Sequence, residues 1–412
     1  MNTIKKTFVC LAPFWFYIFD LALMLFGVKY GGAEDSPLLV MLGVLVLGIV
    51  GLIYLAIRLR TMQITITELC FLAVTILFIL LYLLTGDSQM GKPLALLSYI
   101  RRSVLYCFIT FFSFIIIQHE KWYRELFETV RWFALAATAI TAFRMMPQLS
   151  LGFKAIQYYG SLRYQSMGYR CTIFAVLLEI YVPFCKKMSH RLLYITGIAV
   201  NFIALIMTGA RGAMIAFILV TGFVVLASIR KFSISQLLRF AAIALAAGAV
   251  AIGVVFAVPA LRGVFLNATR SFNYITDSGI NLDNRSDIFA QAVSLILQAP
   301  LMGYGFGAAY HLLGIHPHNL FLEFMIDGGI FYTTGIVILM LVRLWQWMRC
   351  FRANWELRDI FVMILVNLSM LLLSTSYYTN PWIWLFFFIN PNRALAGVSG
   401  APTLEYSTIE GD

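Results

Sequence analysis

Three of the five histidines in this chain, His311, His316 and His318, fall within the stretch GYGFGAAYHLLGIHPHNLFLEFMIDGG, which runs from Gly303 to Gly329. Asn319 follows the last of them and opens an apolar run that carries one carboxylate, Glu323. Histidine exchanges a proton near neutral pH, so one at the edge of an apolar run is suited to general-base work on a substrate hydroxyl. His318 is best placed for that; His311 and His316 read as loop residues. The H-x4-H-x-H spacing could hold a metal, but no carboxylate stands at ligand spacing and no HExxH pattern occurs, so no metal and no cofactor are expected. Glu323 follows His318 by five residues, about 140° round a helix, which implies no direct pair. A carboxylate inside an apolar span is costly, which makes Glu323 a supporting candidate in its own right.

Arginines supply the second kind of chemistry. Arg211, in MTGARGAMIAF, is flanked by Gly209, Ala210, Gly212 and Ala213, small neighbours that leave its guanidinium open to a cavity. Such a fork binds phosphate oxygens bidentately. Arg163 and Arg170, in SLRYQSMGYRCTIF, are expected where a loop re-enters the membrane. Arg285 opens an expected helix, where a cation opposes the macrodipole, so a partner is expected for it. That partner is either a substrate anion or its neighbours Asp283 and Asp287.

The elements that position these residues are membrane helices. The chain has 412 residues, 61% hydrophobic and 12% charged, with a mean hydropathy of +0.86. Soluble domains are nearer half apolar and a quarter charged. The apolar runs are continuous, not alternating, which argues against a β-barrel. The expected fold is all-α: one polytopic membrane bundle over residues 1–412 with about 12 helices of ordinary spanning length. The spans are expected at 8–28, 37–57, 66–85, 103–118, 127–146, 170–185, 192–208, 212–229, 237–258, 320–342, 359–376 and 379–394. The six cysteines fall singly and point to neither a disulfide framework nor a zinc ribbon. Lys5 and Lys6 precede the first apolar run without a small-residue cleavage site, so that run reads as a span and not as a removed signal.

Basic residues give an orientation. With a cytoplasmic N-terminus, every inside loop carries at least two Lys or Arg, and both termini lie inside. The net charge of +11 is then an orientation signal with anionic-lipid contact, and no nucleic-acid partner is expected. Arg163, Arg170, Arg211 and Arg285 are among the exceptions left on the outer side, where an anionic substrate would hold them. A segment at 259–317 is far longer than an ordinary connection and reads as a functional extracytoplasmic loop. It carries an amphipathic helix after Ser286, with Ile288, Phe289, Ala292, Val293 and Ile296 on one face and Pro300 at its end. That helix would lie flat on the membrane or lid a cavity.

At these residues the chain resembles the O-antigen ligase and polymerase superfamily of bacterial surface-polysaccharide enzymes. Four ordered pieces over residues 160–345 carry the resemblance: SLRYQSMGYR, TGARG, NRSDIFAQAVSLILQAPLMGYGFG and HNLFLEFMIDGG. His318 and Gly329 match a histidine and a glycine that recur in the family at this spacing, while Phe289 and Ala210 stand where it often has leucine and serine. The resemblance implies an inverting, metal-independent glycosyltransferase at the outer face of the bacterial inner membrane. Its donor would be an oligosaccharide on undecaprenyl pyrophosphate, and its acceptor a glycan hydroxyl. Arg163, Arg170, Arg211 and Arg285 would hold the pyrophosphate, and His318 would receive or orient the acceptor proton, with Arg211 beside it in catalysis. Asn319, Glu323, Gly303, Gly305 and Gly329 would support them. Membrane lipids are expected contacts, and the resemblance leaves room for a chain-length regulator and a flippase as partners.

Polymerisation of lipid-linked repeat units is the leading reading. A ligase that passes the finished glycan to a lipid A-core or another acceptor uses the same donor and the same arginines. A transporter for lipid-linked oligosaccharide would also want cations facing a cavity. Against transport, the halves show no internal repeat and the polar residues gather at one face.

Overall fold

The computed structural model describes residues 2–26, 106–145, 164–185, 187–229, 285–305, 308–314, 317–353 and 357–373, with isolated positions elsewhere. The first apolar run, expected as one span at 8–28, folds instead as two helices, α1 (Asn2–Leu11) and α2 (Trp15–Phe26). One turn of 3-10 helix at Ala12–Phe14 separates them, with Pro13 inside it. Proline has no N–H to give the helix ladder and its ring clashes with the preceding turn, so the helix breaks there. The spans expected at 37–57, 66–85, 237–258 and 379–394 lie outside the described residues apart from isolated positions, as does the loop from 259 to 284.

The other helices follow the expected runs with shifted ends. They are α3 (Tyr106–Glu120), α4 (Tyr123–Met145), α5 (Tyr164–Tyr181), α6 (Met188–Thr208) and α7 (Arg211–Ile229). After the long loop come α8 (Arg285–Gln298), the short α9 (Ala308–Leu313), α10 (Leu320–Ala353) and α11 (Arg358–Leu373). No strand occurs among the described residues. Three of these helices are long and apolar enough to cross a membrane: Tyr123–Met145, Met188–Thr208 and Leu320–Phe351. The apolar helices mark an integral membrane protein.

α5 is the centre of the bundle. It packs against α4, α6, α7 and α11, and every residue from Met167 to Leu178 is buried. A helix buried on all sides has no amphipathic stripe, as the sequence of α5 shows. Small residues permit the close contacts. Gly197 of α6 sits where an added Cβ would come within 2.7 Å of Leu178. Buried polar pairs add hydrogen bonds where lipid could not: Asn201 donates to Thr138 at 2.7 Å and to the Gly197 carbonyl at 2.9 Å. Tyr181 reaches the Phe127 carbonyl at 3.1 Å. The outer sides of α6 and α7, by contrast, expose Leu192, Leu193, Ile215, Ile218 and Leu219, apolar groups suited to lipid.

An aromatic cluster closes one end. Phe223 of α7, Phe351 of α10 and Phe361 of α11 stand with ring centres 5.6 Å apart, and Trp347 stacks on Phe361. Phe223 and Phe351 both lie near the C-terminal ends of their helices. The N-terminal end of α7, and α10 as far back as Gly329, therefore run toward the opposite face of the bundle.

Candidate active site at the head of α7 and α10

The TGARG segment is a tight turn between two helices. α6 stops at Gly209, whose φ of 62° and ψ of 17° place it in the left-handed region, and its N–H bonds the Ile206 carbonyl at 3.0 Å. Thr208 is buried and its hydroxyl oxygen accepts the Ala210 N–H at 3.3 Å. Met214 N–H bonds the Ala210 carbonyl at 3.0 Å, so Arg211 is the first residue of α7. The Arg211 side chain is half-exposed, in contrast to its buried neighbours Ala210 and Ala213. A guanidinium beside the unsatisfied amides of a helix start makes a strongly positive spot, suited to an anion.

α5 holds that turn from below. An added Cβ on Gly168 would meet Ala210 at 2.5 Å and the Thr208 hydroxyl at 3.0 Å, so only glycine lets the turn approach. Four residues on, the Thr172 hydroxyl donates to the Ala213 carbonyl at 3.0 Å. Arg170 lies between them, six residues inside α5 and 3% exposed, where the sequence reading expected a loop re-entering the membrane. The helix begins earlier than that reading had it, so Arg170 belongs to the bundle interior. Its guanidinium stands 5.6 Å from the centre of the Tyr17 ring, a cation–π contact. Tyr17 in turn shares a hydrogen bond with Asn367 of α11. Arg163 immediately precedes α5 and lies outside the described residues.

His318 stands at the head of α10, half-exposed behind the buried Pro317. Its φ is 53°, one of two positive values among the described non-glycine residues. Histidine is one of the few L-residues enriched there. The twist aims the chain into the helix, which Asn319 caps: its side-chain oxygen accepts the N–H groups of Phe321 at 3.0 Å and Leu322 at 3.2 Å. Glu323, 1% exposed, falls in the first turn, where a negative charge suits the helix dipole.

Two glycine motifs far apart in sequence form one joint. Gly329 breaks α10 with φ 65° and ψ −166°, a conformation essentially restricted to glycine. The backbone groups freed by the break are taken up by the turn after α8. Ile330 N–H donates to the Pro300 carbonyl at 2.9 Å, while the carbonyls of Ile326 and Asp327 each accept at 2.8 Å, from Tyr304 and Gly305 N–H. The contact is backbone on backbone. A Cβ at Gly329 would lie 2.3 Å from the Leu301 carbonyl carbon, and one at Gly303 would lie 2.6 Å from the Ile326 oxygen. The buried carboxylate of Asp327 completes the joint by accepting the Ala309 N–H at 3.0 Å, which caps α9. Asp327 was not singled out in the sequence. Its signal was a carboxylate in an apolar run directly before the glycine pair.

The structure thus brings Gly303, Gly305 and Gly329 together, seats the Arg211 turn on Gly168 and Thr172 of α5 while Arg170 faces Tyr17, and sets His318 with Asn319 and Glu323 at the head of α10. Arg285 begins α8, and His311 lies in α9; the side chains of both, and His316 as a whole, lie outside the described residues. Among the described residues no three His, Cys, Asp or Glu side chains form a group able to hold a metal ion.

The fold is that of an integral membrane protein, a bundle of apolar helices. Residues 196–337 match the family model described as O-antigen ligase, which supports membership of the O-antigen ligase/polymerase superfamily. The matched segment contains the Arg211 turn, α8, the glycine joint and His318. No curated protein matches the chain.

Proposed function

We propose that this protein polymerises oligosaccharide repeat units carried on undecaprenyl pyrophosphate, at the outer face of the bacterial inner membrane. The observation that supports this most is that Arg211, at the head of α7, and His318, at the head of α10, both lie inside residues 196–337, the segment that matches the family. The acceptor hydroxyl attacks the anomeric carbon of the donor sugar. The new glycosidic C–O bond forms as the bond to pyrophosphate breaks, with inversion. Pyrophosphate leaves with its charge held by arginine, and the hydroxyl proton passes to His318 or to a base that His318 orients. Fixed cations in a site poor in water stabilise such a leaving group without reorganising. Arg211 is the primary clamp, and Arg163 and Arg285 are the further cations of this reading; Arg170, buried in α5 against Tyr17, belongs to the bundle interior.

The ligase reading keeps the same donor chemistry and differs in acceptor. Both are tested by His318→Ala and Arg211→Ala variants at wild-type membrane levels. Loss of polymerisation leaves a single repeat unit on the surface glycolipid in gel profiles. A ligase defect instead accumulates long chains on undecaprenyl pyrophosphate. Unchanged long chains in both variants would end the mechanism altogether.

A further inference from the structure

The surface of α8 divides into three sectors. Ala292 and Ile296 pack with Ala309 of α9 and Ile326 of α10, and Ile288 and Leu295 are half-buried on that side. Asp287, Gln291, Ser294 and Gln298 form an exposed polar sector. Between the two stand Val293 and Leu297, 46% and 73% exposed and close together at helical spacing. The sequence pattern puts Val293 on one apolar face with Ile288, Phe289, Ala292 and Ile296; the part of that face packed against protein is centred on Ala292, which leaves Val293 exposed at its edge.

This exposed apolar sector continues beyond the helix. Leu301 and Met302 are 57% and 76% exposed on the turn that Pro300 ties to Ile330. Ile330 and Phe331, 47% and 66% exposed, follow on α10 and start the bare apolar side of that spanning helix. The bare side of a span faces lipid, so the α8 stripe is continuous with a lipid-facing surface. Depth agrees. From the break at Gly329, the 21 residues 330–350 of α10 extend roughly 30 Å, the thickness of a bilayer core. The joint then lies at the core boundary, the depth at which an interfacial helix sits.

We infer that α8 is a membrane-interface helix, with Val293, Leu297 and Met302 among lipid acyl chains and its polar sector in water. The helix is held on three sides, by protein, lipid and water, and the lipid surface fixes the height of Arg285 and of the joint above the bilayer core. The inference rests on the protein being membrane-embedded and not on the reaction proposed above. It is tested on the full chain in lipid nanodiscs with nitroxide labels at Leu297→Cys, Met302→Cys and Ser294→Cys. The parent chain, labelled in parallel, sets the background from its own cysteines, of which Cys10, Cys171, Cys185 and Cys350 are buried. Collision with apolar oxygen, relative to a water-soluble nickel chelate, is expected to be severalfold higher at 297 and 302 than at 294. Equal ratios at the three positions would show a water-exposed helix and overturn the inference. Low collision with both reagents at 297 and 302 would show a protein cover, such as a second copy, and would overturn it equally.

Discussion

At the scale of single residues, His318 joins a strained backbone to a titratable ring. Its left-handed φ of 53° is one that asparagine also tolerates and a β-branched residue does not. The two contributions are therefore separable. His318→Asn is expected to keep the thermal unfolding midpoint and lose transfer activity. His318→Val is expected to lose activity and in addition about 1–2 kcal/mol of stability, the cost of forcing such a residue into this region. Equal stability in the two variants would mean that the backbone twist carries no strain. Arg211 admits a similar division. Arg211→Lys keeps a charge at the head of α7 but removes the planar fork. A loss of about tenfold or more in kcat/KM, read with purified donor, is expected if two pyrophosphate oxygens are gripped at once; full retention would reduce Arg211 to a general positive charge.

At the scale of elements, the site depends on the joint between the turn after α8 and the broken α10. Gly329→Ala places a Cβ 2.3 Å from the Leu301 backbone and forces alanine into a glycine-only conformation, so at least about 2 kcal/mol of stability should be lost together with activity. Gly335, further along the same helix, has open space where its Cβ would be. Gly335→Ala should be neutral or stabilising by up to about 1 kcal/mol. If thermal melts find the two substitutions alike, the joint is not a structural contact. Much of this was legible in outline. The PLMGYGFG and IDGG motifs, the start of α8 and the asparagine before α10 are all local signals. Their pairing was not, because helical periodicity says nothing of which backbone groups meet across more than 20 residues of chain. The break at Pro13 was visible as a proline within an apolar run, but hydropathy over a 20-residue window passes over a single missing N–H. Arg170 is expected at the membrane re-entry of a loop because the apolar run starts at it; the polar residues before it in fact belong to a helix buried by its neighbours.

At the scale of the whole molecule, orientation follows from how three helices share their ends. α6 spans 21 residues, roughly 31 Å, and the Gly209 turn sends α7 back from its far end. α7 and α10 then meet at Phe223 and Phe351, so the start of α6, with Lys187 and Arg191, lies on the same side as Arg343 and Arg349 of α10. Basic residues collect on the cytoplasmic side of membrane proteins. Under the proposed function the head of α7, bearing Arg211, would then face outward, the side on which that reading puts the acceptor glycan. A membrane-impermeant maleimide applied to intact cells should modify Ser294→Cys on α8 and leave Ser189→Cys at the start of α6 untouched until the membrane is permeabilised. Both positions are exposed, so neither failure to react would reflect burial in protein. The reverse pattern would turn the candidate site toward the cytoplasm and overturn the proposed outer-face reaction.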